Sequence, residues 1–444
     1  MTQSIKKLSL IALILVSITI TLAVAACGGG GNPSPSPEAN STPDTTGVSA
    51  TEIKWGTTFP LSQNPAAAYA PIAYGMKAFD DYISAQGGVY GRKITLDIGD
   101  DHYAPADTVE VTRDLVENTK VFGLVGNLGD ATQLAVYKYL EDMGVPNMFL
   151  STGLAVWTHP IVKSRFGGNP DYITEGKFLA QYMVQNFPGK KVGFLLQNDQ
   201  LGIDGETGLK DGLAGSNVQI IDEEKYEAVD ADVSAQTQRL KNAGSEVIVA
   251  FAIPPQAASM VKSARETLNW DVPILVSGIN CSDIFILLAT AKDAEGVISF
   301  TFGHQAYETQ LPGVQKYQKI WDKFGSGGTL SNFELYGMFV AELNTYIMEL
   351  TGPNISRQSF LDSAEMVCDF MCTTCPGFGP VSLSPTDHQP TEVLVYNEVV
   401  NGTWKAVSDP VSFETTKSCQ QPTLPADFDK QPKVGADAQY VETP

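Results

Sequence analysis

Two groups of residues in this 444-residue chain have the types and spacing to do chemistry. The first is Val24-Ala25-Ala26-Cys27, which closes an apolar run from Leu8 to Val24 behind Lys6 and Lys7. A positive start, an apolar middle and small residues before a cut site make an export signal. A cysteine directly after those small residues is the pattern of a bacterial lipobox. In it Cys27 is diacylated, residues 1–26 are removed and the new N-terminus is acylated. Each buried methylene of such chains contributes about 0.8 kcal/mol, so several chains on one residue anchor a protein stably. An ordinary signal peptide with an incidental cysteine, or an uncleaved anchor helix, is the alternative. The second group is Cys368-x3-Cys372-x2-Cys375, with Cys419 further on. Such spacings suit zinc, but outside the cytoplasmic membrane the commoner fate of clustered cysteines is a disulfide. Disulfides within Cys368, Cys372, Cys375 and Cys419 are therefore expected, with zinc as the alternative. With Cys281 the thiols beyond Cys27 are odd in number, so they cannot all pair within the chain.

Catalytic patterns are missing. His102, His159, His304 and His388 are scattered without metal-ligand spacing, and no Ser-centred nucleophile elbow or Walker-type phosphate loop occurs. Gly126-x-x-Gly129 is too little to imply a dinucleotide. No enzyme activity, metal or cofactor is expected.

Removing residues 1–26 takes away Lys6 and Lys7 and no acid, which moves the net charge from −21 to −23. Such acidity argues against a nucleic-acid partner, which needs clustered Lys and Arg. No apolar run after Cys27 is long enough to span a bilayer. Residues 27–50, rich in Gly, Pro, Ser and Thr, hold too few apolar side chains to offset the entropy of ordering and read as a disordered tether. The rest is long enough for two domains.

From Glu52 onward, short apolar runs alternate with longer amphipathic ones. Strands are predicted at 53–57, 94–98, 121–125 and 148–150, with helices at 67–85, 105–118 and 131–143. The pattern restarts with strands at 192–196, 218–221, 247–251, 274–276 and 297–300. Helices at 173–186, 204–213, 234–243, 256–267 and 284–291 separate them. Further helices follow at 314–324, 332–350 and 358–366. Apolar strands between helices point to parallel sheets covered on both faces. Two such sets imply an α/β chain with two doubly wound lobes. The end differs: residues 381–383 and 393–396, with Asn401-Gly402 as a turn signal, read as antiparallel strands. The polar, Pro-rich segment from 416 to 444 reads as a tail lying on the surface or disordered.

Several segments resemble the substrate-binding proteins of branched-chain amino acid ABC transporters, the leucine/isoleucine/valine-binding family with the type I periplasmic-binding-protein fold. Residues 75–92, from Gly75-Met76-Lys77-Ala78-Phe79-Asp80-Asp81 to Gly91-Arg92, are similar to its first helix and glycine turn. Asp100-Asp101, Gly126-Asn127-Leu128-Gly129, Tyr139-Leu140-Glu141-Asp142-Met143-Gly144-Val145-Pro146, Ser384-Pro385-Thr386-Asp387-His388 and Asn401-Gly402-Thr403-Trp404 follow in the family's order. The resemblance covers about 52–410. It implies two lobes, 51–167 with 303–390 and 168–302 with 391–415, joined by a three-segment hinge and closing on a ligand.

The same resemblance places a ligand site at Asp130, Ala131, Thr132, Thr152, Gly153, Tyr69, Tyr336 and Asn280. Glycines before a helix start leave N–H groups that favour an anion. The family has a small hydroxyl residue where this chain has Asp130, and a carboxylate there disfavours a ligand carboxylate. Asp130 as a helix cap is the favoured reading of its hydrogen bonds, since Asp is a preferred N-cap. Leu201 stands where amino-acid binders have tyrosine, and Ile253-Pro254 replaces another aromatic. The acid that would hold an ammonium group is missing around Gly278-Ile279-Asn280, leaving Asn280 as a neutral candidate. The resemblance implies capture of a small organic solute, of the amino acid-like, amide or carboxylate class, with an apolar body and a polar end. Delivery to an ABC permease at the outer face of the cell membrane follows. A sensor presenting its closed form to a membrane receptor is the alternative.

Overall fold

A computed structural model describes residues 42–375, 377–413 and 419–443. Cys27 and the export signal lie outside the described residues. Among those described, no helix is long and apolar enough to cross a membrane.

The first sheet joins β1 (Glu52–Phe59), β2 (Lys93–Asp100), β3 (Gly123–Val125), β4 (Asn147–Leu150) and β5 (Arg165–Gly167). They run in the order β2-β1-β3-β4-β5, all parallel. β3 to β5 are buried along their whole length, which is why Gly123–Val125 and Met148-Phe149-Leu150 read as apolar runs without alternation. Helices Pro71–Ala85, Pro312–Phe324, Asn332–Thr351 and Arg357–Ala364 pack into the same core as β1, with Trp55 fully buried and its indole N–H 3.4 Å from Met348 Sδ. Helices Pro71–Ala85 and Asn332–Thr351 cross backbone to backbone. A Cβ at Gly75 would stand 2.2 Å from the Glu334 carbonyl oxygen, and one at Gly337 2.0 Å from that of Ile72.

The second sheet holds β6 (Lys191–Gln197), β7 (Gln219–Tyr226), β8 (Val247–Phe251), β9 (Ile274–Val276) and β10 (Ile298–Thr301) in parallel. β11 (Val393–Val400) pairs antiparallel with β10, and β12 (Thr403–Ala406) and β13 (Val411–Ser412) pair with β11. Asn401 and Gly402, both at positive φ, make the tight turn between β11 and β12.

Residues 168–171, 302–311 and 384–392 carry the chain between the lobes, and the first and third are stitched together. The Thr391 hydroxyl donates to the Gly168 carbonyl at 2.7 Å and the Gln389 amide to that of Asn169 at 2.7 Å.

Two expectations need correction. Val381-Ser382-Leu383 forms no strand of the sheet; Val381 makes a lone bridge to Phe370, because the disulfide-rich segment folds back on the first lobe. Order begins before residue 50: Arg357 donates to the Asp44 carboxylate at 2.9 Å, and the turn at Gly47 sets its backbone against Phe122. Of the two courses expected for the tail, 419–443 takes the surface one, lying along the first lobe and held there. Tyr440 stacks on Tyr82, and the Val441 N–H donates to the Tyr82 hydroxyl at 3.0 Å. The Gly435 carbonyl accepts from buried Lys316, which also reaches Glu342 at 3.5 Å.

The four clustered cysteines form disulfides, Cys368–Cys419 and Cys372–Cys375, which accounts for every ligand of the zinc alternative. Cys281 remains a buried thiol.

Candidate functional site

β3 ends at Val125 and the chain turns through Gly126 to Gly129 into the short helix Asp130–Leu134. Asn127 fixes this loop: its carbonyl oxygen accepts from the Thr58 N–H at 3.0 Å and its amide donates to Asn147 at 2.9 Å. Gly129 sits at φ 103°, and a Cβ there would lie 2.6 Å from Cε2 of Tyr103. A glycine is required so that this ring can lie against the loop. Gly129 is itself the cap residue of the helix, and no side chain caps it. Asp130 is therefore not the cap the sequence favoured. Its carboxylate accepts the hydroxyl proton of Thr152 instead, and Thr152 Oγ1 in turn accepts from the indole N–H of Trp157 at 3.2 Å.

The facing wall comes from two helices of the second lobe. Asp199 caps helix Gln200–Leu213, accepting from Leu201 N–H at 3.1 Å and from the Gln197 amide at 2.5 Å. One turn on, Asp204 accepts from Gln200 at 2.6 Å and from the Ala155 N–H at 3.0 Å. Helix Tyr172–Asn186 brings Tyr172, whose ring would lie 2.5 Å from a Cβ on Gly153, and Glu175, which accepts from the Gly278 N–H at 3.3 Å. Burial pushes the Asp130 carboxyl up to about 7; the Thr152 hydroxyl opposes this, and Asp199 and Asp204 add to it. Burial likewise drives Glu175 well above the usual range, with Asp171 and Asp130 adding to it.

The expected residues divide. Asp130, Thr152, Gly153 and Tyr69 gather around this wall, and burial raises the Tyr69 phenol as Phe333 packs 5.1 Å from its ring. Ala131 is exposed beside Asp130. The Thr132 hydroxyl faces its own loop and donates to the Leu128 carbonyl at 2.7 Å. Asn280 is fully buried and spends its amide on Ala252 and Ser277, the nearest at 2.8 Å, while its carbonyl oxygen has no partner. Tyr336 packs 5.9 Å from Phe302 of the second passage, and its hydroxyl is enclosed near Ser151.

Residues 52–403 match the family model described as periplasmic binding protein. The chain belongs to that family. Among curated relatives of this binding protein, the Leu/Ile/Val-binding protein homolog 8 of Brucella abortus is 22% identical over 299 residues, 64% of this chain and 73% of the relative. Among solved structures, a branched-chain amino acid ABC transporter protein of Thermus thermophilus with bound valine superposes with a TM-score of 0.73. It is 19% identical and covers 86% of this chain and 99% of its own. A fatty acid ABC transporter substrate-binding protein of Thermomonospora curvata reaches 0.70 at 20% identity, covering 85% and 97%. These relatives are solute-binding proteins, not enzymes, and two neighbours of equal likeness are named for unlike ligands. Fold alone therefore does not choose the ligand of this binding protein.

Sequence reasoning missed Tyr103, Tyr172, Glu175, Asp199 and Asp204 of the binding protein. Asp199 and Glu175 read as ordinary helix-start acids, one a cap and one in a first turn, so nothing local marked them. Near Gly278-Ile279-Asn280, where the sequence has no acid, the fold brings the Glu175 carboxylate to the Gly278 N–H from 103 positions away.

Proposed function

We propose that this chain is a lipid-anchored, extracytoplasmic solute-binding protein that captures a small organic solute between its lobes and delivers it to an ABC importer permease. The observation that carries this reading is the meeting of Asp130 of the first lobe with Asp199 and Asp204 of the second. Asp130 follows β3 and holds the Thr152 hydroxyl, while Asp204, beyond the end of β6, accepts from the Ala155 N–H, three residues on from Thr152, at 3.0 Å. Stitched passages at Gly168 and Thr391 supply a hinge about which such lobes close, and closure is the signal a permease reads. The lipid anchor rests on Cys27, and the permease on the family.

The test is mass spectrometry of the solute released on unfolding protein purified from its natural host, followed by calorimetry with that solute. A single retained small molecule that rebinds one to one is expected. Chemical turnover of the molecule, or no solute bound from a host extract, would sink the reading.

A further inference from the structure

We infer that the solute is an organic cation, an amine or ammonium compound held between Asp130 and Glu175 and flanked by the rings of Tyr69, Tyr103 and Tyr172. This rests on the solute-binding reading above and names the chemical class of the same cleft.

Four observations converge. Glu175 is 3% exposed, yet among the described residues its carboxylate accepts one hydrogen bond, from the Gly278 N–H to Oε2 at 3.3 Å. A carboxylate so far removed from water needs a cation or further donors to complete it. Second, the charges that act on Asp130 are those of Asp199 and Asp204, both negative. Among the described residues no lysine or arginine pairs with Asp130, Glu175, Asp199 or Asp204. Third, the hydroxyls that would hold a ligand carboxylate are already spent. Thr152 donates to Asp130, and Thr132 donates to the Leu128 carbonyl. A carboxylate arriving at Gly129 would meet the Asp130 carboxylate before it met a free hydroxyl. Fourth, Gly129 and Gly153 lack the Cβ atoms that would push Tyr103 and Tyr172 away, so one ring lies against the loop that carries Asp130 and the other against the loop that carries Thr152. Aromatic faces beside acids attract a cation through the ring quadrupole as well as by charge.

The test uses the full chain, solubilised in detergent, and two series matched in carbon skeleton. One is isoamylamine, leucine, isovaleramide and isovalerate; the other is phenethylamine, phenylalanine, phenylacetamide and phenylacetate. Choline and agmatine complete the panel, and thermal shift followed by calorimetry reads binding. An amine or ammonium compound is expected to bind at least tenfold more tightly than every amino acid, amide and acid in the panel. Glu175→Gln and Asp130→Asn are each expected to weaken it at least tenfold. Tightest binding by a zwitterion, amide or acid overturns the inference while leaving solute capture intact, and so does the absence of binding by every cation. Solute capture itself fails when a host extract supplies no ligand of any class or when the bound molecule is turned over.

Discussion

At residue scale, Asp130 is set apart by where its carboxylate goes. An N-cap would spend it on backbone N–H groups, whereas here it takes the Thr152 hydroxyl and stays near two other carboxylates. Its folded pKa, about 7, lies above the unfolded value of about 3.9. Folding therefore binds its proton more tightly, and its contribution to stability rises as pH falls from about 7 towards about 4. Above about 7 the group is ionised in both states and its buried charge counts fully against folding. Glu175 and Asp80 shift in the same direction, so the Asp130 share is read by difference. Urea unfolding should show Asp130→Asn more stable relative to the wild type at pH 8 than at pH 5; a gap independent of pH would contradict this. The position of Asp130 was legible because it stands in a family motif. Its hydrogen bonds were not, because Thr152 is 22 positions away and only the fold brings it near.

At the scale of elements, periodicity located nearly every helix and strand, and errors fell where tertiary contacts override it. The run at 67–85 breaks into a short 3-10 turn, Pro65–Tyr69, and helix Pro71–Ala85, because Pro71 cannot donate within a continuous helix. The run at 131–143 likewise divides into Asp130–Leu134 and Tyr137–Asp142. β5 was missed: it is three residues long and begins with Arg165, buried by its pairing with Glu141. The crossing at Gly75 and Gly337 was also invisible, since it depends on two helices 262 positions apart meeting without side chains. Gly337→Ala should cost about 1–3 kcal/mol by overpacking. Calorimetric unfolding checks this, and an unchanged Tm would mean that the helices separate freely. The Cys368–Cys419 bridge closes a separation of 51 residues. Replacing both cysteines with serine should lower stability by about 2–4 kcal/mol. Denaturant titration would detect this, and equal stability with and without the bridge would show that Tyr440 and Gly435 hold the segment unaided.

At the scale of the molecule, attachment is the prediction that depends on the least structure. Cys27→Ser should leave the protein unprocessed or release it from membranes, and normal processing with full membrane retention would rule the anchor out. The described chain both begins and ends on the first lobe, so the second lobe is built inside it. That nesting has a kinetic consequence. The helix that covers β1 starts at Asn332, so a nascent first lobe waits through the whole second set of strands before its Trp55 can meet Met348, 293 positions on. The parallel core of the second lobe, β6 to β10, is drawn from residues 191–301 and lacks only the antiparallel strands β11 to β13 at that stage. Contacts of long sequence separation form late because loop closure must precede them. During refolding, pulse-labelled hydrogen exchange should therefore find β6, β8 and β9 protected before β1. Protection of β1 first would show that the first lobe nucleates without its later helices. In the expected order the half of the cleft that carries Asp130 is assembled last, and a growing chain has no complete cleft until nearly all of it has emerged.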